Sequence, residues 1–392
     1  MKASVWQASI LGLMVIMGFV ATLPVGSAAT NAQDLHHGSH SAEISIDLQG
    51  LAVAVAHGAT LGAAVFLAGL VMFVVLVWLP TNGAEQVEQR KAVNLFCRWM
   101  WMLVGLLVVS GLVEIPLYAV RASGEDLSPG LLVEALFDTR VGQLWIERIL
   151  LGIVTVIVAT HGASLRRRPG YMASLRRSAF RAKLRRSSYW WGAAVVLGIL
   201  LLMTLTQQSH AAADGRFLPF VADWLHLMAA SLWMGGLLGF PILLIGPLRV
   251  MPPQARAKLL GSVVPRFSKL ATMAVMSLIL TGLVAILLHV PSLSALFSTS
   301  YGRALTMKLG LVVLLLAIGG LNLIARGRGP FGRMVGAELI LALGIFVATG
   351  FLTSLPPADV AQQEIVEQNI PNPTQDIRQP PIPSPPAFLN AP

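Results

Sequence analysis

The sequence predicts an all-α polytopic membrane protein, and three observations carry the prediction. Eight apolar runs each reach the ~20 residues needed to span a hydrocarbon core. Only 12% of the 392 residues are charged, against roughly a quarter in ordinary soluble domains. Basic residues collect in alternate loops between the runs, as they do on the cytoplasmic side of membrane proteins. With 55% hydrophobic residues and a mean hydropathy of +0.73, the chain carries more apolar surface than a water-soluble core absorbs. The net charge of +10 excludes little by itself. Confined to short loops beside apolar runs, it argues for membrane topology and against nucleic-acid binding.

Residues 1–29 combine Lys2, an apolar run from Ile10 to Leu23 and the small residues Gly26, Ser27, Ala28 and Ala29. That is the pattern of a cleavable secretory signal; uncleaved, the same run is an additional span. Segment 30–48 follows as an external stretch holding His36, His37 and His40, a short His-rich tract suited to metal capture. The eight runs then lie at about 51–79, 95–120, 141–163, 189–208, 218–245, 268–290, 304–325 and 334–355. Segment 164–188 carries nine Lys or Arg and no acid; Arg249, Arg256, Lys258 and Arg266, then Arg326, Arg328 and Arg333, mark the other basic loops. These loops are expected to be cytoplasmic, which puts both mature termini outside. Segment 356–392 is rich in proline without an apolar period and is expected to be an extended external tail.

The halves 49–208 and 209–355 read as two parallel four-helix repeats. Phe137-Asp138-Thr139-Arg140-Val141-Gly142 followed by Arg148 lies over Phe297-Ser298-Thr299-Ser300-Tyr301-Gly302 followed by Lys308, an offset of 160. Ser110-Gly111-Leu112-Val113 lies over Thr281-Gly282-Leu283-Val284 at 171, and His57 over His226 at 169. Parallel repeats of this kind place substrate at the interface between them.

Ionisable residues inside such spans are functional candidates, because isolating a charge in hydrocarbon costs several kcal/mol by order of magnitude. Asp223 and His226 stand at i and i+3 on one helix face, above the small residues Gly235, Gly236 and Gly239. His57, Glu114, Glu147, Arg148, Asp223, His226, His289 and Lys308 all fall in the outer part of their helices, so an external polar vestibule is expected. Glu114, Glu147, Arg148 and Lys308 are expected to pair as ions. His57 and His226 are expected to meet across the repeat axis as metal ligands, with Asp223 orienting the ring of His226. Met234 extends the same face inward, and His289 and His210 stand at or beyond the outer end. The single Cys97 rules out thiolate pairs, so soft-metal chemistry falls to His and Met, a set that suits copper. For each lone His and for most of the 15 Met residues, packing inside a helix bundle is the competing explanation.

The segments HLMAASLWMGG (226–236), RFSKLA (266–271) and TGLVAILLHVPSLSALFSTSYGRALTMKLGLVVLLLAIGGLN (281–322) resemble the copper resistance protein D (CopD) family of bacterial inner-membrane proteins. The resemblance is specific over about 220–325, above all in TSYGRALTMK, and looser over the first four helices. It implies copper as the transported substrate, taken from the periplasm, often from a CopC-type chaperone, and moved toward the cytoplasm. No Walker-type loop occurs, so ATP-driven pumping by this chain, or any other enzymatic role, is not expected. Two other functions fit the same residues: a b-type cytochrome using paired His as haem ligands, and a non-transporting adaptor presenting its His-rich and Pro-rich ends.

Overall fold

A computed structural model describes residues 48–81, 86–166, 177–209, 217–289, 295–324 and 331–353. Every regular element among them is helical. In chain order these are α1 (Leu48–Phe73), continued by a π turn over Val74–Trp78, α2 (Gln86–Ser123), α3 (Pro129–Phe137), α4 (Arg140–Arg166) and α5 (Arg177–Thr206). Then come α6 (Phe217–Ile245), α7 (Pro247–Val250), α8 (Pro253–His289), α9 (Ala295–Ser298), α10 (Ser300–Ile324) and α11 (Phe331–Thr353). Eight of these, α1, α2, α4, α5, α6, α8, α10 and α11, are long and apolar enough to cross a membrane. The signal-like segment, His36, His37, His40, His210 and the proline-rich tail lie outside the described residues.

Three starts differ from the hydropathy expectation. α2 begins at Gln86 rather than near 95, α5 at Arg177 rather than near 189, and α8 at Pro253 rather than near 268. The extensions of α2 and α8 bury apolar side chains, Ala92 and Val93 in the first, Leu259 and Val263 in the second. Hydropathy reports where apolar side chains dominate, whereas the helix continues wherever one face finds a partner.

The centre of the bundle is α1, which packs against α2, α5, α6 and α11. In its most apolar stretch 83% of residues are buried, against 6% in α8 at the periphery. Glycines set how closely the central helices approach. A Cβ on Gly69 would collide with the Ser231 carbonyl oxygen of α6, and one on Gly235 with that of Gly69. The backbones therefore touch at this crossing, as small residues permit where lipid offers no hydrophobic drive to association. A second close crossing joins α1 to α11, where a Cβ on Gly58 would lie 2.7 Å from the Phe346 carbonyl oxygen. Toward the far end of α1, Phe73 meets Phe96, Phe240 and Phe267 with ring centroids 5.9, 5.6 and 6.2 Å away. These aromatic contacts fill the space between α1, α2, α6 and α8.

The FxTxxG motifs build the same device twice. Thr139 Oγ1 accepts from the Gly142 amide at 3.1 Å, and Thr299 Oγ1 accepts from the Gly302 amide at 2.9 Å. Each threonine is thus the N-cap of a spanning helix, α4 or α10, satisfying a first-turn amide that has no partner inside the helix. Each is preceded by a short helix, α3 or α9. The start of α3 obeys the same rule, with Pro129 in its first turn and Ser128 Oγ accepting from the Leu131 amide at 3.2 Å.

Candidate functional site

Among the described residues, a histidine inside a span is held by another side chain in two places, one in each half of the chain. In the first half, His57 and Thr60 stand at i and i+3 on α1, and Ser110 and Glu114 at i and i+4 on α2, so each pair shares a face and the two faces meet. His57 Nδ1 lies 2.7 Å from Glu114 Oε1, and Thr60 Oγ1 lies 2.8 Å from Glu114 Oε2 and 2.9 Å from Ser110 Oγ. Thr60, Ser110 and Glu114 are all buried. An ionised carboxylate only accepts, so a neutral His57 opposite it carries its proton on Nδ1, and Nε2 keeps its lone pair. A carboxylate behind Nδ1 both fixes the ring and raises its basicity, the arrangement behind many metal-binding imidazoles.

Beside this pair, Arg148 of α4 is fully buried. Its Nε donates to Thr204 Oγ1 at 3.2 Å, and its Nη2 to the Thr204 carbonyl at 3.2 Å and to Gln208 Oε1 at 2.8 Å. Glu114 and Glu147 act on the guanidinium through space. These partners differ from the ion pairs expected among Glu114, Glu147, Arg148 and Lys308. Glu114 is engaged at contact distance by His57, Arg148 by α5, and Glu147 is exposed. The neutral partners do the work because a guanidinium can be satisfied by carbonyl, hydroxyl and amide oxygens without a second buried charge.

In the second half, His226 Nδ1 lies 2.8 Å from Thr281 Oγ1 of α8. Thr281 Oγ1 also lies 2.7 Å from the Ser277 carbonyl and 3.3 Å from that of Leu278. When the Thr281 hydroxyl donates to its own helix, its oxygen accepts from His226 Nδ1–H, and all of these contacts are satisfied at once. In that arrangement His226 is the tautomer protonated on Nδ1. Its Nε2 carries a lone pair, and no hydrogen bond to it is formed among the described residues. An imidazole so arranged offers one nitrogen to a metal while the other is held.

Asp223 and Lys308 interact electrostatically with each other, and Lys308 also with His226, so the cation from α10 acts on both ionisable residues of α6. Met234 is buried beside the Gly69–Gly235 crossing as part of the apolar core. His289 is the last residue of α8. Each imidazole is tied to its own half: His57 to α2, His226 to α8. Among the described residues, no three His, Cys, Asp or Glu side chains come together in a way that could hold a metal ion.

Sequence reasoning does not mark Thr60, Thr204, Gln208 or Thr281 as members of these sites, and it gives Glu114 different partners. Thr281 was part of the repeat alignment, yet nothing in a hydropathy pattern marks a threonine as the partner of a histidine 55 positions earlier. Glu114 was assigned to an ion pair, although its position over Ser110 on one helix face was the available clue that it looks at α1.

The fold and these sites define an all-helical, multi-pass membrane protein with a held imidazole in each half. Residues 261–352 match the family model described as copper resistance protein D. The chain is 28% identical over 238 residues to "Copper transport protein CutJ" of Bacillus subtilis (strain 168), an alignment covering 59% of this chain and 40% of that protein. It is 32% identical over 131 residues to "Copper resistance protein D" of Pseudomonas syringae pv. tomato, covering 32% of this chain and 42% of that one. The alignments thus span about two-fifths of the length of these relatives. No solved structure matches. Residues 261–352 are thus similar to the copper resistance protein D family.

Proposed function

We propose that this protein carries copper ions across the bacterial inner membrane, from the periplasm toward the cytoplasm, with copper as cargo. His226 is the principal ligand, through Nε2, and Thr281 holds its ring. His57, held by Glu114, offers the corresponding nitrogen in the first half. Asp223 tunes the charge around His226, while Met234, deeper in α6, and His289, at the end of α8, extend the donors along the route. The His36, His37 and His40 stretch captures copper outside, and a CopC-type periplasmic chaperone supplies it.

One observation carries this reading more than any other. Thr281, inside the segment that matches the copper resistance family, holds Nδ1 of His226 at 2.8 Å, which supports a ligand role for Nε2 within a membrane-spanning helix. The printed names of the relatives, copper transport and copper resistance, supply the metal. Cellular copper measured in cells producing the intact protein or His226→Ala tests it. The intact protein changes copper content and the variant, present at equal level in the membrane, does not. Equal copper in both strains removes His226 from the path.

A further inference from the structure

The sequence alignment of the two halves sets Gly111 of α2 opposite Gly282 of α8, and their surroundings are not alike. A Cβ on Gly111 would overlap the indole of Trp145, so α2 and α4 close on one another at this level through an aromatic side chain. The counterparts α8 and α10 do not form a packed pair; α8 packs on α6, and α10 on α11. A Cβ on Gly282 would meet a single atom within 4 Å, Cε1 of His226 at 3.9 Å. That is ordinary van der Waals contact, so the position has room for a methyl group, unlike Gly69, Gly235, Gly236 or Gly350, where a Cβ would strike backbone or an aromatic ring. Cε1 is bonded to both ring nitrogens. With Nδ1 occupied by Thr281, a longer side chain at 282 would extend over the edge that leads to Nε2.

We infer that Gly282 is the threshold of the His226 site. Its missing side chain leaves the Cε1 edge of His226 uncovered on the α8 side, and Cu(I) reaches Nε2 past that edge. In the first half Trp145 fills the corresponding space. This inference rests on the assignment of His226 as a copper ligand.

The test uses full-length protein in lipid nanodiscs, titrated with Cu(I) against a chromogenic chelator, for wild type, His226→Ala, Gly282→Ala, Gly282→Val and Gly282→Leu. Thermal unfolding is recorded alongside each. Gly282→Ala binds as the wild type does. Gly282→Leu falls to the affinity of His226→Ala while its unfolding midpoint stays at the wild-type value, and Gly282→Val lies between. If leucine lowers the midpoint, valine is read in its place on the same criterion. Wild-type binding by a folded Gly282→Leu or, in its place, Gly282→Val, with His226→Ala defective, overturns the threshold and leaves the ligand assignment standing. Loss in Gly282→Ala as complete as in Gly282→Leu also overturns it, because the effect then does not follow side-chain size. Wild-type binding by His226→Ala overturns the ligand assignment itself.

Discussion

Replacing Thr281 by valine keeps the shape of the side chain and removes its oxygen, which isolates the role of one hydrogen bond. In the wild type that oxygen receives Nδ1–H of His226 at 2.8 Å and returns its own proton to the Ser277 carbonyl at 2.7 Å. Without it, Nδ1–H has no acceptor, and the ring is free to turn or to move its proton to Nε2, the nitrogen needed by the metal. Loss of an orienting partner of this kind costs about 10–100-fold in metal affinity, or about 1.4–2.8 kcal/mol at 1.4 kcal/mol per tenfold. The unpaired donor costs the fold itself ~1–3 kcal/mol, which appears as a lower unfolding midpoint. Thr281→Ser restores the oxygen and should recover most of the affinity. Cu(I) competition titrations on the wild type, both Thr281 variants and His226→Ala measure this directly. The reasoning is refuted if valine binds as tightly as threonine while His226→Ala does not bind, since His226 would then act without being held.

Two further outcomes follow from the packing. Glu114 accepts from both His57 and Thr60, and Glu114→Ala should lower stability by about 1.5–3 kcal/mol, the range for hydrogen bonds to a charged group. Glu114→Gln, which keeps an oxygen for one donor, should lose less; equal unfolding midpoints for wild type and alanine would show that the pair contributes nothing. Gly69→Leu should abolish folded protein in the membrane, because even its Cβ collides with the Ser231 carbonyl, whereas Gly105→Ala, with no neighbour within 4 Å, should be tolerated. Size-exclusion profiles of the two variants, extracted in the same detergent, separate these results.

The fold was legible because bilayer physics leaves few options: a backbone crossing hydrocarbon must satisfy its own hydrogen bonds, so eight apolar runs mean eight helices. The FxTxxG motif was legible for a related reason, since a helix start needs a side-chain oxygen, and Thr139 and Thr299 supply it in the same way. What could not be read was which helix each polar side chain faces. Depth follows from counting residues along a helix, but azimuth depends on packing, and the packing of α1 is set by Gly69, Gly58 and the phenylalanines around Phe73 rather than by its histidine. His57 and His226 therefore lie at matched sequence positions, yet each turns toward the second helix of its own half and finds a different partner, a carboxylate in one case and a hydroxyl in the other. That difference has chemical weight. Glu114 offers His57 a negative charge, while Thr281 offers His226 only a dipole, so the two rings are held by partners of different chemistry. Two halves with similar sequences thus hold their imidazoles in different ways, and the hydroxyl that holds the second lies in the segment that carries the family match.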